Sequence, residues 1–294
     1  MKSGTVAILG RPNVGKSTLL NALLKQKVAI VSDKPQTTRM RVLGVLHRSD
    51  AQIAFLDTPG LHKPEHQLNK RMVRTAVDAM RDADLLYVMV DALGPPGPGD
   101  RLAISEVAAA TRTSRCPVFL LINKVDAVKK VRVLPLIELY RGKFDWTEIV
   151  PVSAVTGINL DLLVDLTVKL LPGTEAPFAD DVLTDQSMRT LAAELVREKI
   201  LQKTREEVPY SVAVTVDQFV EEGKLAKIDA SIIVEKESQK AIVVGKGGEL
   251  IKAVGTEARL DMEKLFGMKV FLRLWVKVRS DWREDEELLA ELGY

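Results

Sequence analysis

Short apolar runs rich in β-branched residues alternate with amphipathic stretches over residues 1–170 of this chain. Runs of about 4 to 8 apolar residues are typical of strands buried on both faces, and the stretches between them have the period of helices. This alternation predicts a mostly parallel sheet with right-handed helical crossovers. The predicted strands are Val6–Leu9, Gln52–Leu56, Leu85–Val90, Val118–Ile122 and Ile149–Val152, and the predicted helices are Lys16–Leu24, Leu68–Arg81, Arg101–Arg112, Val131–Tyr140 and Leu160–Leu171.

Two segments interrupt this alternation. Arg41–His47 predicts an extra edge strand that pairs with Gln52–Leu56 through the turn Arg48–Ala51. The segment Gly94–Gly99 reads Gly-Pro-Pro-Gly-Pro-Gly and predicts a loop, because glycine and proline interrupt both helices and strands.

The pattern changes near residue 172. Pro172-Gly173 follows the last amphipathic stretch, and Pro177 comes shortly after it. A Pro-Gly stop followed by a second proline is typical of a linker between domains. We therefore predict a first domain over residues 1–172, a linker over residues 173–184 and a second domain over residues 185–294.

The second domain has a different order of elements. A helix and two strands precede a glycine-rich segment, and a helix and a strand follow it, which predicts a smaller α+β domain. An acidic segment near residue 285 predicts a tail helix that packs Trp282 onto this domain. The predicted elements are helix Ser187–Arg205, strands Ser211–Phe219 and Ala226–Glu235, helix Glu249–Phe266, strand Lys269–Val278 and tail helix Asp281–Leu289.

Composition narrows the class of protein. Apolar residues make up 46% of the chain and charged residues 28%, as in ordinary globular domains. No apolar run approaches the roughly 18 residues of a membrane-spanning helix, and Met1–Thr5 leads straight into a strand, so we expect neither a span nor a signal peptide. The single cysteine, Cys116, excludes an intrachain disulfide and a cysteine-based zinc site, which indicates a reducing, cytoplasmic setting.

The net charge of +2 conceals an asymmetry between the two parts of the chain. Residues 1–180 carry a net charge of +6 and residues 181–294 carry −4, so bulk charge argues against nucleic-acid binding by the second part. From Lys240 to Arg279, however, basic residues exceed acidic ones by five. A nucleic-acid site in the second domain would lie in this segment.

A glycine-rich octet joins the first predicted strand to the first predicted helix. Two glycines, a lysine and a serine at this spacing form the phosphate-binding loop pattern, in which backbone N–H groups and the helix dipole converge on phosphate oxygens. In this pattern Lys16 reaches the β- and γ-phosphates, and the Ser17 hydroxyl ligates Mg²⁺. The motif predicts a nucleoside triphosphate site formed by Gly10, Arg11, Pro12, Asn13, Val14, Gly15, Lys16, Ser17 and Thr18.

The tetrapeptide Asp-Thr-Pro-Gly follows the predicted strand Gln52–Leu56. An aspartate at a strand end beside a phosphate loop holds Mg²⁺ through its water shell, and the N–H of Gly60 is placed to sense a γ-phosphate. Away from such a loop the same tetrapeptide is an ordinary turn. The nucleotide-binding residues predicted here are Asp57, Thr58, Pro59, Gly60 and Leu61, and Asp57 also serves the metal.

A second polar motif indicates which base is bound. Asp126 follows the predicted strand Val118–Ile122 and can accept hydrogen bonds from both N1–H and the 2-amino group of guanine, a donor pair that adenine lacks. A solvated Lys-Asp turn is the alternative. The predicted base-binding residues are Asn123, Lys124, Val125 and Asp126, with Ser153 and Ala154 completing the pocket.

These motifs follow predicted parallel strands and converge on the sheet edge where such folds bind ligands. Together they resemble the translation-factor-related class of Ras-like, P-loop GTPases. The resemblance implies that Lys34–Arg39 is the effector loop, with Thr38 on Mg²⁺ when γ-phosphate is present and Thr37 as the alternative. Mg²⁺ would be held by Ser17, Thr38 and Asp57, and the residues assigned to catalysis are Asn13, Lys16, Thr38 and Gly60.

Leu61 departs from the Ras-like pattern, because its side chain cannot orient the attacking water as glutamine does. Hydrolysis must therefore use backbone groups, a monovalent cation or a partner, and unaided turnover should be slow, on the order of 10⁻⁴ to 10⁻² per second. Asn13 matches an asparagine that binds potassium in related GTPases. The alternative is that Asn13 only tolerates the backbone angles of the loop.

The segment Gly245–Gly248 has the Gly-x-x-Gly form of a KH domain loop, which clamps about four nucleotides of single-stranded RNA. Its glycines let the sugar–phosphate chain lie against the backbone. The order of elements matches a type II KH domain. Lys246 and Lys252 are candidate phosphate contacts, and a solvated surface charge is the alternative for each. The predicted RNA-binding residues are Gly245, Lys246, Gly247, Gly248 and Lys252.

Other chemistry-bearing residues have simpler interpretations. We assign Phe271 and Trp275 to the core or the sheet, with base stacking as the less favoured alternative. His47, His62 and His66 have no acidic partners at metal-binding spacing, so we expect exposed histidines and no metal there.

The whole set of motifs, ending in a Trp-Arg-Glu-Asp-Glu and Leu-Gly-Tyr tail, closely resembles the Era family of bacterial GTPases from Val6 to Tyr294. The resemblance implies a GTPase that assists small ribosomal subunit maturation, with the KH domain gripping the single-stranded 3′ end of 16S rRNA on the 30S subunit. It also implies peripheral association with the inner face of the cell membrane, for which this sequence has no lipidation site or basic amphipathic helix. We expect a monomer.

A different class of function also fits part of the sequence. The acidic balance of residues 181–294 favours a GTP-dependent module that binds a protein or a membrane surface, whereas the placement of the Gly-x-x-Gly loop opposes it. A GTPase that modifies tRNA is a third reading, and no cysteine or flavin-binding feature supports it.

Overall fold

The computed structural model describes residues 1–112 and 116–294. Contacts within the chain divide it into two compact units. The first unit comprises residues 1–29, 38–65 and 69–185, and the second comprises residues 30–37, 66–68 and 186–294. Two short segments of the first half of the chain therefore belong to the second unit.

The first unit is built on a twisted, mostly parallel sheet, as the apolar pattern predicts. The strands are β1 (Lys2–Gly10), β2 (Val42–His47), β3 (Ala51–Asp57), β4 (Leu85–Asp91), β5 (Val118–Asn123) and β6 (Glu148–Pro151). Their order in the sheet is β2-β3-β1-β4-β5-β6, in which β2 runs antiparallel to β3 and the other neighbours are parallel. The antiparallel β2 is the predicted edge strand.

Helices cover both faces of this sheet. Alternate residues of β1 enter separate apolar clusters, with Val6 and Ile8 in one and Ala7 and Leu9 in the other. Burial on both faces explains why the strands read as continuous apolar runs. The helices are α1 (Lys16–Leu24), α2 (Gln67–Arg81), α3 (Pro98–Thr111), α4 (Val133–Arg141) and α5 (Leu160–Leu170).

The prediction of a loop through Gly94–Gly99 is wrong at its end, because α3 begins at Pro98. The N–H of Gly97 donates to Oδ2 of Asp100 at 2.8 Å, which ties the helix start together. Proline suits the first helical position, since its φ is already helical and no N–H is needed there. Proline and glycine therefore mark the start of this helix and do not exclude it.

The helix predicted to begin at Val131 also starts later. Lys130–Arg132 forms a single 3₁₀ turn, and α4 begins at Val133. Pro135 has no N–H to donate to the carbonyl of residue 131, so it fits only within the first turn of the helix.

The second unit packs helices on one face of a three-stranded sheet. Its elements are α6 (Met188–Lys203), α7 (Val208–Ser211), β7 (Ala213–Glu222), β8 (Leu225–Val234), α8 (Glu237–Val244), α9 (Glu249–Phe266), β9 (Lys269–Val278) and α10 (Glu286–Glu291). The strand order is β7-β8-β9, in which β7 is antiparallel to β8 and β9 is parallel to β8.

Within the described residues of the whole chain, no helix is long and apolar enough to cross a membrane.

Helix α8 lies before the glycine-rich segment, where the sequence showed only an apolar stretch. Its start is capped by Gln239, whose Oε1 accepts from the N–H of Glu235 at 2.9 Å and of Lys236 at 3.2 Å. Its end coincides with Gly245, which has a φ of 75°. The N-cap residue, Lys236, is not a typical capping residue, so this helix has a weak signal in the sequence.

The tail helix is shorter than predicted. α10 begins at Glu286 because Oδ1 of Asp285 accepts from the N–H groups of Glu287 and Leu288, at 3.0 and 3.1 Å. Trp282 lies in the preceding turns and is fully buried, and its Nε1 donates to the carbonyl of Ser211 at 2.9 Å. Trp282 therefore anchors the C-terminal tail, and α10 itself is only six residues long.

Candidate functional site

The turn between β1 and α1 is the centre of the candidate site in the first unit. Gly15 has a φ of 102°, in the left-handed region that favours glycine, and a Cβ atom there would lie 2.4 Å from Nδ2 of Asn123. The same Nδ2 donates to the carbonyl of Val14 at 2.7 Å. The loop is thus held against the end of β5, directly before the positive end of the α1 dipole. This is the geometry of an anion-binding loop.

Lys16 is the first residue of α1, and its side chain is buried. Its Nζ donates to the carbonyl oxygens of Gly10 at 3.4 Å and Arg11 at 3.3 Å. Burial lowers the pKa of Lys16 to about 8, and the nearby Asp57 carboxylate opposes that shift. A poorly solvated cation gains much from an incoming anion, so this position suits phosphate oxygens.

Three oxygen-bearing side chains converge close to Lys16. Oγ of Ser17 donates to Oδ2 of Asp57 at 2.5 Å and lies 2.8 Å from Oγ1 of Thr38. Oγ1 of Thr38 also donates to Oδ2 of Asp57, at 3.4 Å. Residues that are 40 positions apart in the chain therefore form one oxygen cluster.

This cluster fits a magnesium ion. Oδ1 of Asp57 is buried and has no hydrogen-bond partner among the residues that the structure describes. Burial raises the pKa of Asp57 to about 6, although Lys16 and the hydroxyls of Ser17 and Thr38 oppose the shift. Hydroxyl and carboxylate oxygens are the ligands that Mg²⁺ prefers, and the ion, when bound, neutralises phosphate charge.

The two candidate threonines of the effector loop have different surroundings. Oγ1 of Thr37 donates to the carbonyl of Lys34 at 2.7 Å, within its own loop. Thr38 is the residue whose hydroxyl joins Ser17 and Asp57. The geometry therefore favours Thr38 as the metal-binding residue.

The Asp-Thr-Pro-Gly segment leads directly from β3 to the phosphate loop. Oγ1 of Thr58 donates to the carbonyl of Ile8 at 2.8 Å, and the N–H of Leu61 donates to the carbonyl of Gly10 at 3.0 Å. A Cβ atom on Gly60 would lie 2.7 Å from the backbone nitrogen of Pro12. The side chain of Leu61 is fully buried, so it cannot orient an attacking water. Pro59 is also buried within this segment.

The base-recognition motif follows β5. Oδ1 of Asn123 accepts from the N–H of Ala154 at 3.0 Å, which joins the loops after β5 and β6. Nζ of Lys124 donates to the carbonyl of Asn13 at 2.8 Å. Asp126 lies in the 3₁₀ turn Val125–Ala127 with its side chain exposed, whereas Ser153 is buried. An exposed carboxylate beside ordered loops is available to a base.

Arg11 has a role that the sequence did not indicate. Its Nη2 lies 2.6 Å from Oδ2 of Asp91, and its Nε lies 3.0 Å from Oδ1 of Asp100. Asp91 also accepts from Nζ of Lys124 at 3.3 Å. The guanidinium therefore fastens the phosphate loop to β4 and α3. Asp91 directly follows the predicted strand Leu85–Val90, and a carboxylate at a strand end was the sequence signal by which it could have been found.

Asn13 has a φ of 64°, a backbone conformation that asparagine tolerates better than most residues. This conformation supports the alternative interpretation of Asn13, in which the residue only tolerates the backbone angles of the loop. A potassium ion at Asn13 stays a prediction.

The histidines do not form a metal site in the described part of the chain, which has no cluster of three or more metal-binding side chains. A ring nitrogen of His47 lies 2.7 Å from the carbonyl of Val182, and one of His62 lies 2.7 Å from that of Gly60. Nδ1 of His66 lies 2.8 Å from Oε1 of Glu284.

In the second unit, the Gly-x-x-Gly segment joins α8 to α9. Gly245 has a φ of 75°, and a Cβ atom there would lie 2.9 Å from the backbone nitrogen of Leu250. Lys246 and Gly247 are exposed, and Lys252 is exposed on the first turns of α9. A groove of about 330 Å³ lies between α9 and β9, and its lining includes Ile251, Lys252, Gly255, Thr256, Leu272 and Leu274.

Phe271 and Trp275 lie in the sheet, as strand residues of β9, and not in the core. Their side chains are 52% and 43% exposed. β9 is an edge strand, and its odd-numbered residues point away from the helices that cover the other face. Alternation along a strand does not by itself say which face is covered, so the sequence left this open.

Two families match the chain by sequence. The family described as a 50S ribosome-binding GTPase matches residues 5–124, and the family described as a KH domain matches residues 207–283. The first range contains the phosphate loop and the oxygen cluster, and the second contains the Gly-x-x-Gly loop. The chain is a P-loop GTPase that carries a C-terminal KH domain.

Whole-chain relatives narrow this class. The GTPase Era of Geobacter metallireducens is 50% identical, and the match covers 100% of this chain and 98% of that protein. The GTPase Era of Syntrophus aciditrophicus is 48% identical and covered over 95% of its length. The chain belongs to the Era family of GTPases. It therefore hydrolyses GTP and uses Mg²⁺.

Two solved Era structures are similar to this chain over its full length. An Era in complex with MgGDPNP and nucleotides 1506–1542 of 16S ribosomal RNA is 44% identical, with a TM-score of 0.95, and the match covers 100% of this chain and 99% of that one. A variant of Aquifex aeolicus Era bound to GDP and aluminium fluoride gives a TM-score of 0.94 at 44% identity, with the same coverage.

Proposed function

We propose that this chain is a GTP-hydrolysing switch that holds the single-stranded 3′ end of 16S rRNA and assists maturation of the small ribosomal subunit. The observation that carries the proposal is full-length similarity to an Era bound to both MgGDPNP and 16S rRNA nucleotides 1506–1542. We place the protein in the cytoplasm as a monomer, and peripheral contact with the inner membrane face is a second location implied by the family.

In this proposal the first unit binds and hydrolyses the nucleotide. The loop Gly10–Ser17 cradles the phosphates, and Lys16 neutralises their charge from a buried position. Ser17, Thr38 and Asp57 hold Mg²⁺. Asp126 selects guanine through two hydrogen bonds. The side chain of Leu61 is buried and apolar, so it does not orient the attacking water. GTP turnover is therefore slow until a partner or a cation assists.

The second unit holds the RNA in this proposal. The backbone of Gly245–Gly248 is open on its outer side, since a Cβ atom on Gly247 or Gly248 would have nothing within 4 Å. A sugar–phosphate chain can therefore approach closely. Lys246 and Lys252 supply positive charge at the two ends of this approach, and the apolar groove between α9 and β9 receives the bases.

Reversing charge at the loop tests this role. The double variant Lys246→Glu, Gly247→Asp should bind single-stranded RNA about tenfold to a hundredfold more weakly, because two negative charges would face the phosphates. Aspartate tolerates the φ of 61° at position 247, so the loop should keep its shape. Filter binding against salt concentration measures the effect, and GTP turnover without RNA should be unchanged.

The matched control is Lys143→Glu, a reversal at an exposed lysine of the first unit. It should leave RNA affinity within twofold of the parent. A parent protein that binds RNA with no dependence on salt, or not at all, would instead favour a GTP-dependent module that binds a protein or a membrane.

The effector loop supplies a link between nucleotide state and RNA binding. Residues 30–37 belong to the second unit, where the N–H of Val31 donates to Oε1 of Glu198 at 2.8 Å. The fully buried Arg197 donates from Nη2 to the carbonyl of Thr37 and pairs with Glu194 at 2.7 Å. The next residue in the chain, Thr38, is the one that meets Ser17 and Asp57. A change at Thr38 is thus one peptide bond from a segment fastened to α6.

The segment after Gly60 also leads into residues that belong to the second unit. Residues 66–68 belong to the second unit, in which the N–H of Leu68 donates to the carbonyl of Arg283 at 3.1 Å and His66 pairs with Glu284. Both segments whose order depends on γ-phosphate in switch GTPases are therefore attached to the unit that holds the RNA.

The variant Arg197→Lys tests this coupling. Lysine keeps the charge beside Glu194 but lacks the planar fork that meets both carboxylate oxygens of Glu194 and the carbonyl of Thr37, so the effector loop should lose its anchor. The ratio of RNA affinities measured with a GTP analogue and with GDP should fall towards one, while nucleotide affinity stays within threefold of the parent. Arg189→Lys on the same helix is the control and should keep the ratio. An unchanged ratio in Arg197→Lys would exclude this route.

A further inference from the structure

Asp91 lies between the two halves of the nucleotide site. It is the last residue of β4, and β4 is the neighbour of both β1, which leads into the phosphate loop, and β5, which leads into the base-recognition turn. In the register of the sheet, Asp91 is directly opposite Asn123, the last residue of β5. A side chain at this position can therefore contact both halves of the site.

The Asp91 carboxylate makes such a double contact. Its Oδ2 accepts from Nη2 of Arg11 at 2.6 Å and from Nζ of Lys124 at 3.3 Å, and its Oδ1 accepts from the N–H of Leu93 at 3.2 Å. The same Nζ of Lys124 donates to the carbonyl of Asn13 in the phosphate loop at 2.8 Å. One carboxylate oxygen thus joins a cation of the phosphate loop to a cation of the base-recognition turn.

Burial strengthens this junction. The side chain of Asp91 is 6% exposed, whereas the side chains of Arg11 and Lys124 are 31% and 30% exposed. A carboxylate that is poorly solvated depends on its cationic partners, and charge-assisted hydrogen bonds of this kind are strong and directional. The backbone beside Asp91 is held as well, because the N–H of Ala92 donates to the carbonyl of Asn123 at 2.8 Å.

Lys124 is the residue that needs holding. Its φ is 63°, in the left-handed region that lysine rarely adopts, and such a conformation persists only where surrounding contacts impose it. The 3₁₀ turn Val125–Ala127, which carries Asp126, begins directly after Lys124. The contacts that fix Lys124 therefore also fix the start of the turn that presents the Asp126 carboxylate.

Asp100 provides a comparison within the same cluster of charges. Its side chain is also 6% exposed, and its Oδ1 lies 3.0 Å from Nε of Arg11. Its Oδ2 accepts from the N–H of Gly97 at the start of α3. Over the part of the chain that the structure describes, its hydrogen bonds and ion pairs do not include Lys124. Both carboxylates hold Arg11, but Asp91 is the one that also reaches the base-recognition turn.

We propose that Asp91 is a positioning residue for guanine selectivity. Through Lys124 it holds the base-recognition turn at the distance from the phosphate loop that a guanine nucleotide requires, and it touches neither the base nor the phosphates itself. The proposal rests on the proposed function of Asp126 as the residue that selects guanine. It adds the side chain that keeps Asp126 in place.

The test measures base selectivity and not total affinity. Loss of a carboxylate beside two cations makes the site more positive, which by itself favours phosphate and obscures any change in affinity for one nucleotide. GDP and inosine diphosphate carry the same phosphates and differ only in the 2-amino group of the base. The full-length parent should prefer GDP about tenfold or more, because inosine diphosphate lacks one hydrogen bond to the Asp126 carboxylate.

Asp91→Asn should lower this GDP preference about threefold or more, because a base-recognition turn that is less well fixed loses most of a directional hydrogen bond. Asp100→Asn is the matched control, since it removes an equally buried carboxylate from the same arginine. It should keep the preference within about twofold of the parent, because Lys124 stays paired with Asp91. Competition of each diphosphate against a fluorescent GDP analogue gives both affinities.

A charge-balanced pair of variants covers the case in which Asp91→Asn does not fold. Arg11→Gln removes one cation of the cluster, and the double variant Arg11→Gln, Asp91→Asn removes one charge of each sign, so no buried cation loses its partner there. The GDP preference of the double variant should be about threefold or more below that of Arg11→Gln alone, because the Asp91–Lys124 contact is the difference between them.

The outcomes separate this inference from the proposed function. If the parent binds GDP and inosine diphosphate equally well, the proposed role of Asp126 fails, and the inference that rests on it fails too. If the parent prefers GDP and Asp91→Asn keeps that preference, the inference alone is overturned. An equal fall in Asp91→Asn and Asp100→Asn would also overturn it, because the two carboxylates would then act only by holding Arg11.

Discussion

Lys16→Ala is expected to remove measurable nucleotide binding. Lys16 is a buried cation whose Nζ donates to the backbone carbonyls of Gly10 and Arg11, and burial lowers its pKa to about 8. The side chain is therefore poorly solvated and regains its full electrostatic partner when phosphate oxygens enter. Its loss should weaken GTP and GDP about 100-fold or more, because charge-assisted contacts to two phosphates disappear together.

Fluorescent-nucleotide titration measures this effect directly. Lys169→Ala is the matched control, since Lys169 is an exposed lysine of α5 and its removal should leave nucleotide affinity unchanged. Retained GTP affinity would refute the assignment of Gly10–Ser17 as the phosphate loop.

Asp126→Asn is expected to change the preferred base from guanine to xanthine. The Asp126 carboxylate is exposed on a turn whose neighbours Asn123 and Lys124 are fixed to the phosphate loop, so its position is set before the base arrives. Asparagine presents one acceptor and one donor, which matches N1–H and the 2-oxygen of xanthine and leaves the guanine amino group unpaired. The ratio of GTP to XTP affinity should fall about 10³-fold or more.

Competition of GTP and XTP for the same labelled nucleotide checks this prediction. Asp145→Asn, at an exposed aspartate elsewhere in the first unit, should keep the parent ratio. If Asp126→Asn still prefers guanine, the pocket must read the base through other groups, and the assignment of this turn would be wrong.

The regular elements of the first unit were predictable because each signal is local. The apolar runs of β1, β3, β4 and β5 come from burial on both faces, and α1 matches its predicted range, Lys16–Leu24, at both ends. The errors fall where one residue type supports two structures. Pro98 starts a helix although proline interrupts helices elsewhere, and α8 begins after Lys236 although lysine is not a typical N-cap residue.

The site was predictable only in part for a related reason. Motifs fix which residue types sit at a strand end, so Lys16, Ser17 and Asp57 were found from spacing alone. The pairing of Arg11 with Asp91 and Asp100 joins positions about 80 to 90 residues apart, and no local pattern encodes it. The anchoring of Thr37 by Arg197 joins positions still further apart, at a separation of 160 in the sequence.

The amino-acid sequence by itself determined that this protein binds a triphosphate, prefers guanine and carries a KH-type loop, because phosphate and base recognition need particular side chains and glycines at fixed spacing. Only the tertiary structure decided that Thr38 and not Thr37 meets Asp57, and that Phe271 and Trp275 face solvent. Which threonine reaches a cluster, and which face of an edge strand is covered, depend on the elements that pack nearby. Those neighbours are distant in the chain, so their effect has no signature in the local sequence.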